Sequence, residues 1–370
     1  MKQWIFSIVL LILIQPAFGE MPLKEYKKEI RKEYSMNPEG LVGVTNKYGK
    51  VEVHSWEKNE ASFQVVITVV ASNTEKADEV FERISINFAH SMQEVRAETV
   101  IEDKPKSVWS WWWSSGSSSE FTIDYVVYIP RRAELDVNNK YGDVLIDQLA
   151  NRANIDLKYG NLHLAGSSDK VDFQLGYSKA KIGDTEELTG EVKYSTLKSN
   201  RTGNLRCESK YSKVEVEEAQ DMMIVSKYDT YVIGRARSIE NEGKYDDFEI
   251  REIYDLRTST AYTDWKVQLL KRMADVDMKY GELKIYEVSP ACEKINFKGS
   301  YASLRVDVDA FSEYKVNIKA QYGDVNVPEG FTVIEKEQEG SDLYMAGYYR
   351  NPNAKMVLYA DIKYGGVSIR

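Results

Sequence analysis

The sequence predicts an all-β fold: a right-handed, single-stranded parallel β-helix with 17–21 residues per coil and a helix-bearing N-terminal excursion. Three observations predict it. First, a tyrosine followed by a small residue recurs at positions 141, 159, 177, 194, 211, 228, 245, 262, 280, 301, 322 and 364. The steps are 18, 18, 17, 17, 17, 17, 17, 18, 21 and 21 residues, with a last step of 42, twice 21; a fixed period of this size marks a solenoid. Second, the third and fifth residues after most of these tyrosines are apolar, as in Val144/Ile146, Leu162/Leu164, Phe248/Ile250 and Trp265/Val267, with mostly polar neighbours between them. That is the period-two pattern of a strand with one buried face. Third, the fourth and second residues before several tyrosines are apolar too (Ile155/Leu157, Phe173/Leu175, Val276/Met278), so the inward parity switches at the tyrosine and the backbone turns a corner there.

The residue after the tyrosine is glycine at Gly142, Gly160, Gly281, Gly323 and Gly365 and mostly Ser, Asp or Thr elsewhere. Glycine is expected to supply the positive φ of the corner. One coil cannot enclose a core, but stacked coils bury a continuous apolar column. About a dozen coils at roughly 4.8 Å each make a rod on the order of 60 Å long. The tyrosines form a ladder along it, with a lysine ladder one residue earlier (Lys140, Lys158, Lys193, Lys210, Lys227, Lys244, Lys279, Lys363). A left-handed hexapeptide helix would also have roughly 18 residues per coil. The drift in period and the lack of a six-residue sub-repeat favour the right-handed form.

Taken in order, residues 1–19 read as a secretory signal: Lys2, an apolar run from Trp4 to Ile14, then Ala17-Phe18-Gly19 before the cut. The run is too short to span a bilayer and no later stretch approaches the required length. Residues 20–40 are a charged lead-in, strand or helix. Residues 41–130 form N-terminal rungs and a cap, opening on Asn46-Lys47-Tyr48-Gly49-Lys50-Val51-Glu52-Val53, a copy of the repeat placed 93 residues before the next. Within them a helix is expected over about 73–85, capped by Ser72 with Glu75, with Ala77, Val80, Phe81 and Ile84 on one face. Strands are expected at Phe63–Val70, Ile84–Phe88, Val95–Ile101 and Phe121–Ile129, the last ended by Pro130.

A Trp/Ser-rich loop, 109–119, carries Trp109, Trp111, Trp112 and Trp113. These four are the candidate interaction surface, either exposed to a partner or folded back on the solenoid flank. Residues 131–370 are the regular repeats. They end on Val367-Ser368-Ile369-Arg370, an edge that would pair with a partner unless the loop 335–354 folds over it.

The combination of the early Asn46–Val53 unit with Trp56, the excursion, and Tyr125-Val126-Val127-Tyr128-Ile129-Pro130 ahead of the repeats resembles the bacterial putative adhesin β-helix family, similar to auto-transporter-adhesin heads. The resemblance covers nearly the whole chain beyond residue 19. It implies an adhesin-like or envelope-associated role and supplies no catalytic residues. This chain departs from the family in its tyrosine at nearly every rung and in its tryptophan loop.

Removing residues 1–19 takes one lysine from 49 basic residues and leaves 58 acidic ones, a net charge of −10. That disfavours nucleic acid and anionic membranes as partners. Cys207 and Cys292 read as two unpaired small hydrophobes rather than a disulfide. His54, His90 and His163 lie in separate segments, so no metal site or catalytic triad is expected, and no cofactor motif is present.

Polysaccharide cleavage would need paired carboxylates, or a base beside cations, on one face. Asp143, Asp247, Asp264 and Glu282 alternate there with Lys181, Lys198, Lys266 and Lys284, scattered and of mixed sign. The expectation is therefore an exported, non-enzymatic protein of the periplasm, cell surface or medium that binds a glycan or an envelope protein. The alternatives are a scaffold that self-assembles through its C-terminal rung, and a polysaccharide-active enzyme.

Overall fold

A computed structural model describes residues 23–102, 120–308 and 312–370. Apart from one helix, the regular structure of the described residues is strand, and all twenty-three strands join one sheet. The middle of the chain is a solenoid of stacked parallel coils. β8 (Glu134–Lys140), β9 (Val144–Leu149) and β10 (Ala153–Lys158) lead into longer strands, one per coil: β11 (Asn161–Gly176), β12 (Lys179–Lys193), β13 (Thr196–Lys210), β14 (Lys213–Lys227) and β15 (Thr230–Lys244). β16 (Asp247–Ile285) runs on through Tyr262 and Tyr280, and β17 (Lys294–Val306) follows. Each coil pairs in parallel with the next, equivalent positions opposite one another, as in Thr196↔Lys213↔Thr230↔Asp247.

The alternation read from the sequence puts Leu162, Leu164, Phe173 and Leu175 inside with their counterparts in every coil, and the buried residues form one continuous apolar cluster. At the third position of three successive coils the column holds Tyr231, Phe248 and Trp265, stacked at 4.8 and 3.8 Å. Both cysteines are buried and free, and burial pushes the Cys207 thiol up to about 12 and that of Cys292 to about 11.

The corner is built differently from the expectation. The positive φ belongs to the tyrosine, and of the residues after it only Gly281 shares it: all thirteen ladder tyrosines, Tyr48 included, have φ between 51° and 65°. A non-glycine residue there costs roughly 1–2 kcal/mol. What offsets that cost is visible in the hydrogen bonds. From Tyr48 to Tyr245 each ladder tyrosine N–H donates to the carbonyl of the residue before the next ladder tyrosine, as from Tyr177 to Lys193 and from Tyr194 to Lys210, both at 3.0 Å. The glycines answer a different need, clearance: a Cβ on Gly142 would fall inside the Gly49 carbonyl.

The two ends depart from sequence order. At the N-terminal end β2 (Leu41–Lys47) and β3 (Val51–Trp56) lie directly under β8 and β9. Their other edges pair with β6 (Glu94–Ile101) and β7 (Glu120–Pro130). β7, β4 (Glu60–Ala71) and β1 (Lys24–Ser35) then form an antiparallel wing, and β5 (Ile84–His90) pairs antiparallel with β6. The lead-in is thus strand over most of its length. α1 (Thr74–Glu82) joins β4 to β5 and is capped by Asn73, whose side chain accepts from the Lys76 N–H at 3.0 Å, rather than by Ser72. Ala77 and Val80 are buried, while Ile84 already belongs to β5.

At the C-terminal end come β18 (Tyr314–Gln321), β19 (Asp324–Asn326), the hairpin β20 (Phe331–Glu339) and β21 (Asp342–Tyr349), then β22 (Met356–Lys363) and β23 (Gly366–Ile369). β22 pairs with β17 on one side and β18 on the other, and β23 lies between β17 and β19. The bare C-terminal rung expected from the sequence is therefore corrected: that rung is interior, paired on both edges. Nor does the loop 335–354 cover it; the hairpin of β20 and β21 packs antiparallel on β18 instead.

Candidate functional site

The longest regular surface of the described residues is the column of tyrosines at the corner. The parallel register sets their spacing, and the shared left-handed backbone aims every side chain the same way. Thirteen rings stack in the order 48, 141, 159, 177, 194, 211, 228, 245, 262, 280, 301, 364, 322. Centroids are 4.6–5.3 Å apart and planes within 2–15° of parallel, which is the strand spacing imposed on the rings. From Tyr141 to Tyr364 each ring is 39–57% exposed. Neighbouring rings cover each other's faces, so the ladder offers solvent its edges and phenol hydroxyls.

Beneath the ladder runs a second column, from Ser178 through Ser195, Ser212, Asp229 and Asp246 to Thr263. Each side-chain oxygen accepts the backbone N–H of its counterpart one coil earlier: Ser178 N to Ser195 Oγ at 2.9 Å, Ser212 N to Asp229 Oδ1 at 2.7 Å, and Asp229 N to Asp246 Oδ1 at 2.9 Å. These bonds satisfy the amide that the corner takes out of the ladder. The two carboxylates are buried, and loss of solvation raises both, Asp246 to about 6.

On one side of the tyrosines stand the lysines. Lys47, Lys140, Lys210, Lys227 and Lys363 place Nζ 4.7–5.6 Å from the ring that follows them, within cation–π range. On the other side, an open groove of about 900 Å³ runs beside Tyr159, Tyr177, Tyr194, Tyr211 and Tyr228. Its floor is Gly160, Ser178, Ser195 and Ser212, and its far wall includes Asn161, Lys179, Thr196 and Lys213.

A separate depression of about 600 Å³ lies over Val232 and Gly234, with Glu215 and Glu249 on opposite sides. Neither is a free carboxylate: Lys198 and Lys213 reach Glu215 at 2.7 and 2.8 Å and hold its carboxyl below the usual range, and Lys266 reaches Glu249 at 3.1 Å. Of the acids weighed from the sequence, Glu282 pairs with Lys284 at 2.7 Å. Asp143 accepts from Asn161, and Asp264 from the Glu282 N–H. His54 meets Asp147 at 3.2 Å and His90 stacks on Tyr34. No cluster of three or more metal-ligating side chains occurs among the described residues.

Trp109, Trp111, Trp112 and Trp113 lie outside the described residues, as do positions 1–19. Where the chain resumes at β7, Phe121 packs edge-on against Tyr48, the end of the ladder, at 5.6 Å. Sequence reasoning noted the tyrosine and lysine ladders but placed the interaction surface on the tryptophans. The signal for the ladder was the recurring tyrosine at every 17–21 residues.

No model of a known protein family matches the chain, and no curated protein does. Solved structures similar to it include a putative cell adhesion protein from Clostridium sporogenes, 10% identical over 93% of this chain and 99% of that one, with a TM-score of 0.19. A putative adhesin from Bacteroides fragilis is 9% identical over 93% and 97%, TM-score 0.24. A putative lipid binding protein from Parabacteroides distasonis is 9% identical over 92% and 96%, TM-score 0.27. Likeness at these TM-scores decides neither fold nor ligand. No helix among the described residues is long and apolar enough to cross a membrane.

Proposed function

We propose that this chain is an exported, non-enzymatic binding protein of the cell envelope or surface, adhesin-like in role, that holds an extended partner along its tyrosine ladder. A right-handed β-helix is the form proposed for its solenoid, since parallel crossovers are right-handed in about 98% of cases. The observation that carries the reading is the half-exposed ladder itself. Ring-on-ring stacking stabilises the column whether the row is covered or exposed, and exposed contiguous aromatic surface marks interaction sites.

Non-enzymatic action is favoured by the carboxylates around the Val232 depression: Glu215 and Glu249 are tied to lysines and Glu217 to Arg251, and the Glu215 carboxyl is held below its usual range, where a general acid would need a raised pKa. Export rests on the segment 1–19, and fractionation of cells carrying the full chain checks it. The binding role is tested by retention on cell-envelope fractions of the wild type against Y177N/Y194N/Y211N. Asparagine tolerates the left-handed backbone, so the triple variant removes rings and not corners. Loss of retention is the expected result; unchanged retention removes the ladder from the function.

A further inference from the structure

We infer that the ladder from Tyr159 to Tyr228 is a site for a linear carboxylated polysaccharide, a polyuronate chain lying parallel to the solenoid axis; this rests on the binding role proposed above. The ladder is not uniform in charge. Beside Tyr159–Tyr228 one flank holds Lys158, Lys193, Lys210 and Lys227, and the groove wall opposite carries Lys179 and Lys213. Beside Tyr245–Tyr280 the positions equivalent to that wall are Asp247, Asp264 and Glu282.

Lys179, Lys210 and Lys227 have no carboxylate within 4.0 Å among the described residues, whereas Lys193 pairs with Glu191, Lys213 with Glu215, and Lys158 approaches Asp156 at 3.8 Å. Successive coils lie roughly 4.8 Å apart, so the unpaired ammonium groups of Lys210 and Lys227, on adjacent coils, repel one another. A polymer with one anion per monomer relieves that repulsion along its length.

The chemistry of the groove selects among polyanions. Single-stranded nucleic acids bind by stacking bases on aromatic faces, and here those faces are already covered by neighbouring tyrosines. The positive charge that lines the groove comes from lysines, with no arginine, so an anion is met by point charges and not by bidentate forks. What does line the groove is phenol hydroxyls, the Thr196 hydroxyl, ammonium groups and the Asn161 amide, the last donating to Asp143, the one carboxylate of the lining. These are donors and acceptors suited to a polymer of hydroxyls and carboxylates.

The test is titration of the protein with polygalacturonate oligomers of increasing length. A neutral glucan, polyglutamate and single-stranded DNA serve as comparators. Affinity should rise with length up to about five sugars, one per coil of the groove, and fall about tenfold between 50 and 200 mM salt. K179Q/K210Q/K227Q, all on the surface, should melt as the wild type does and bind polygalacturonate at least tenfold more weakly. Equal binding of the neutral glucan, tighter binding of polyglutamate or DNA, or an unaffected lysine variant overturns the assignment. If envelope retention is lost in Y177N/Y194N/Y211N but not in the lysine variant, the ladder still binds and only the polyuronate is wrong. If neither variant changes retention, both readings fall together.

Discussion

In the middle of the solenoid, order along the chain and order in space coincide; at its two ends they do not. From Tyr141 to Tyr301 each coil lies on the one before it, and most strand positions have an equivalent neighbour above and below. At the ends the chain leaves the stack, builds antiparallel strands, and returns to a coil it had skipped. The antiparallel additions place charged strands at the exposed margins: β1 reads KEYKKEIRKEYS and β20 FTVIEKEQE. Charge on an edge strand opposes further pairing. Repetition supplies the core, and irregularity supplies the boundary.

Four tests by substitution sharpen or break that contrast, the largest effect first. Trp265→Ala removes a fully buried ring stacked 3.8 Å on Phe248, and should cost about 3–5 kcal/mol in denaturant unfolding. Phe331→Ala in the C-terminal hairpin, where the ring is only partly buried, should cost less than half as much. Equal losses would mean that the cap is as tightly packed as the column.

Asp246 contributes a pH dependence confined to the middle coils. Its folded pKa of about 6 lies above the usual carboxyl value because burial disfavours the charged form. The stabilisation is therefore present in full below about pH 4 and is lost as pH rises through 6, by on the order of 2–3 kcal/mol. Asp246→Ser copies its ladder neighbours and should flatten this part of the stability–pH profile. An unchanged slope would place the titration elsewhere.

Gly142→Ala drives a Cβ into the Gly49 carbonyl and should cost about 1–3 kcal/mol. Gly366→Ala, whose Cβ would meet nothing nearer than 3.6 Å, should be within about 0.5 kcal/mol of neutral. Smallest is the loss of a ladder ring. Tyr194→Asn forfeits two stacking neighbours and Tyr322→Asn one, at about 0.5–1.5 kcal/mol per aromatic pair. Tyr194→Ala should cost about 1 kcal/mol more than Tyr194→Asn, because alanine pays for the left-handed backbone. Equal melting of the two variants would show that the corner carries no strain.

The spacing of the tyrosines made the coil length, the inward positions and the strand register legible, because in a parallel stack one period fixes all three. Three things were hidden. Tyrosine carries no mark of positive φ, whereas glycine does, so the corner was assigned one residue late. The Ser178–Thr263 column looked like ordinary turn chemistry because its partners sit a full coil away. The ends were misread because the partners of β22 and β23 cannot be found by proximity along the chain. The interval of 42 residues between Tyr322 and Tyr364 announced an inserted segment without saying that the returning coil would lodge between two earlier ones. The surface now favoured was present in the sequence as two parallel residue columns, but its groove exists only once the coils are stacked.

The lodging of β22 and β23 between β17 and the strands β18 and β19 has a consequence for assembly. β18 and β19 have no bond to β17, so the hairpin is tied to the column only through the later segment. Until residues 356–369 pair with β17, the outermost coil and its hairpin have no strand of the column to join. Growth coil by coil in chain order therefore cannot complete this molecule: the later segment must dock before the earlier one has an edge to pair with.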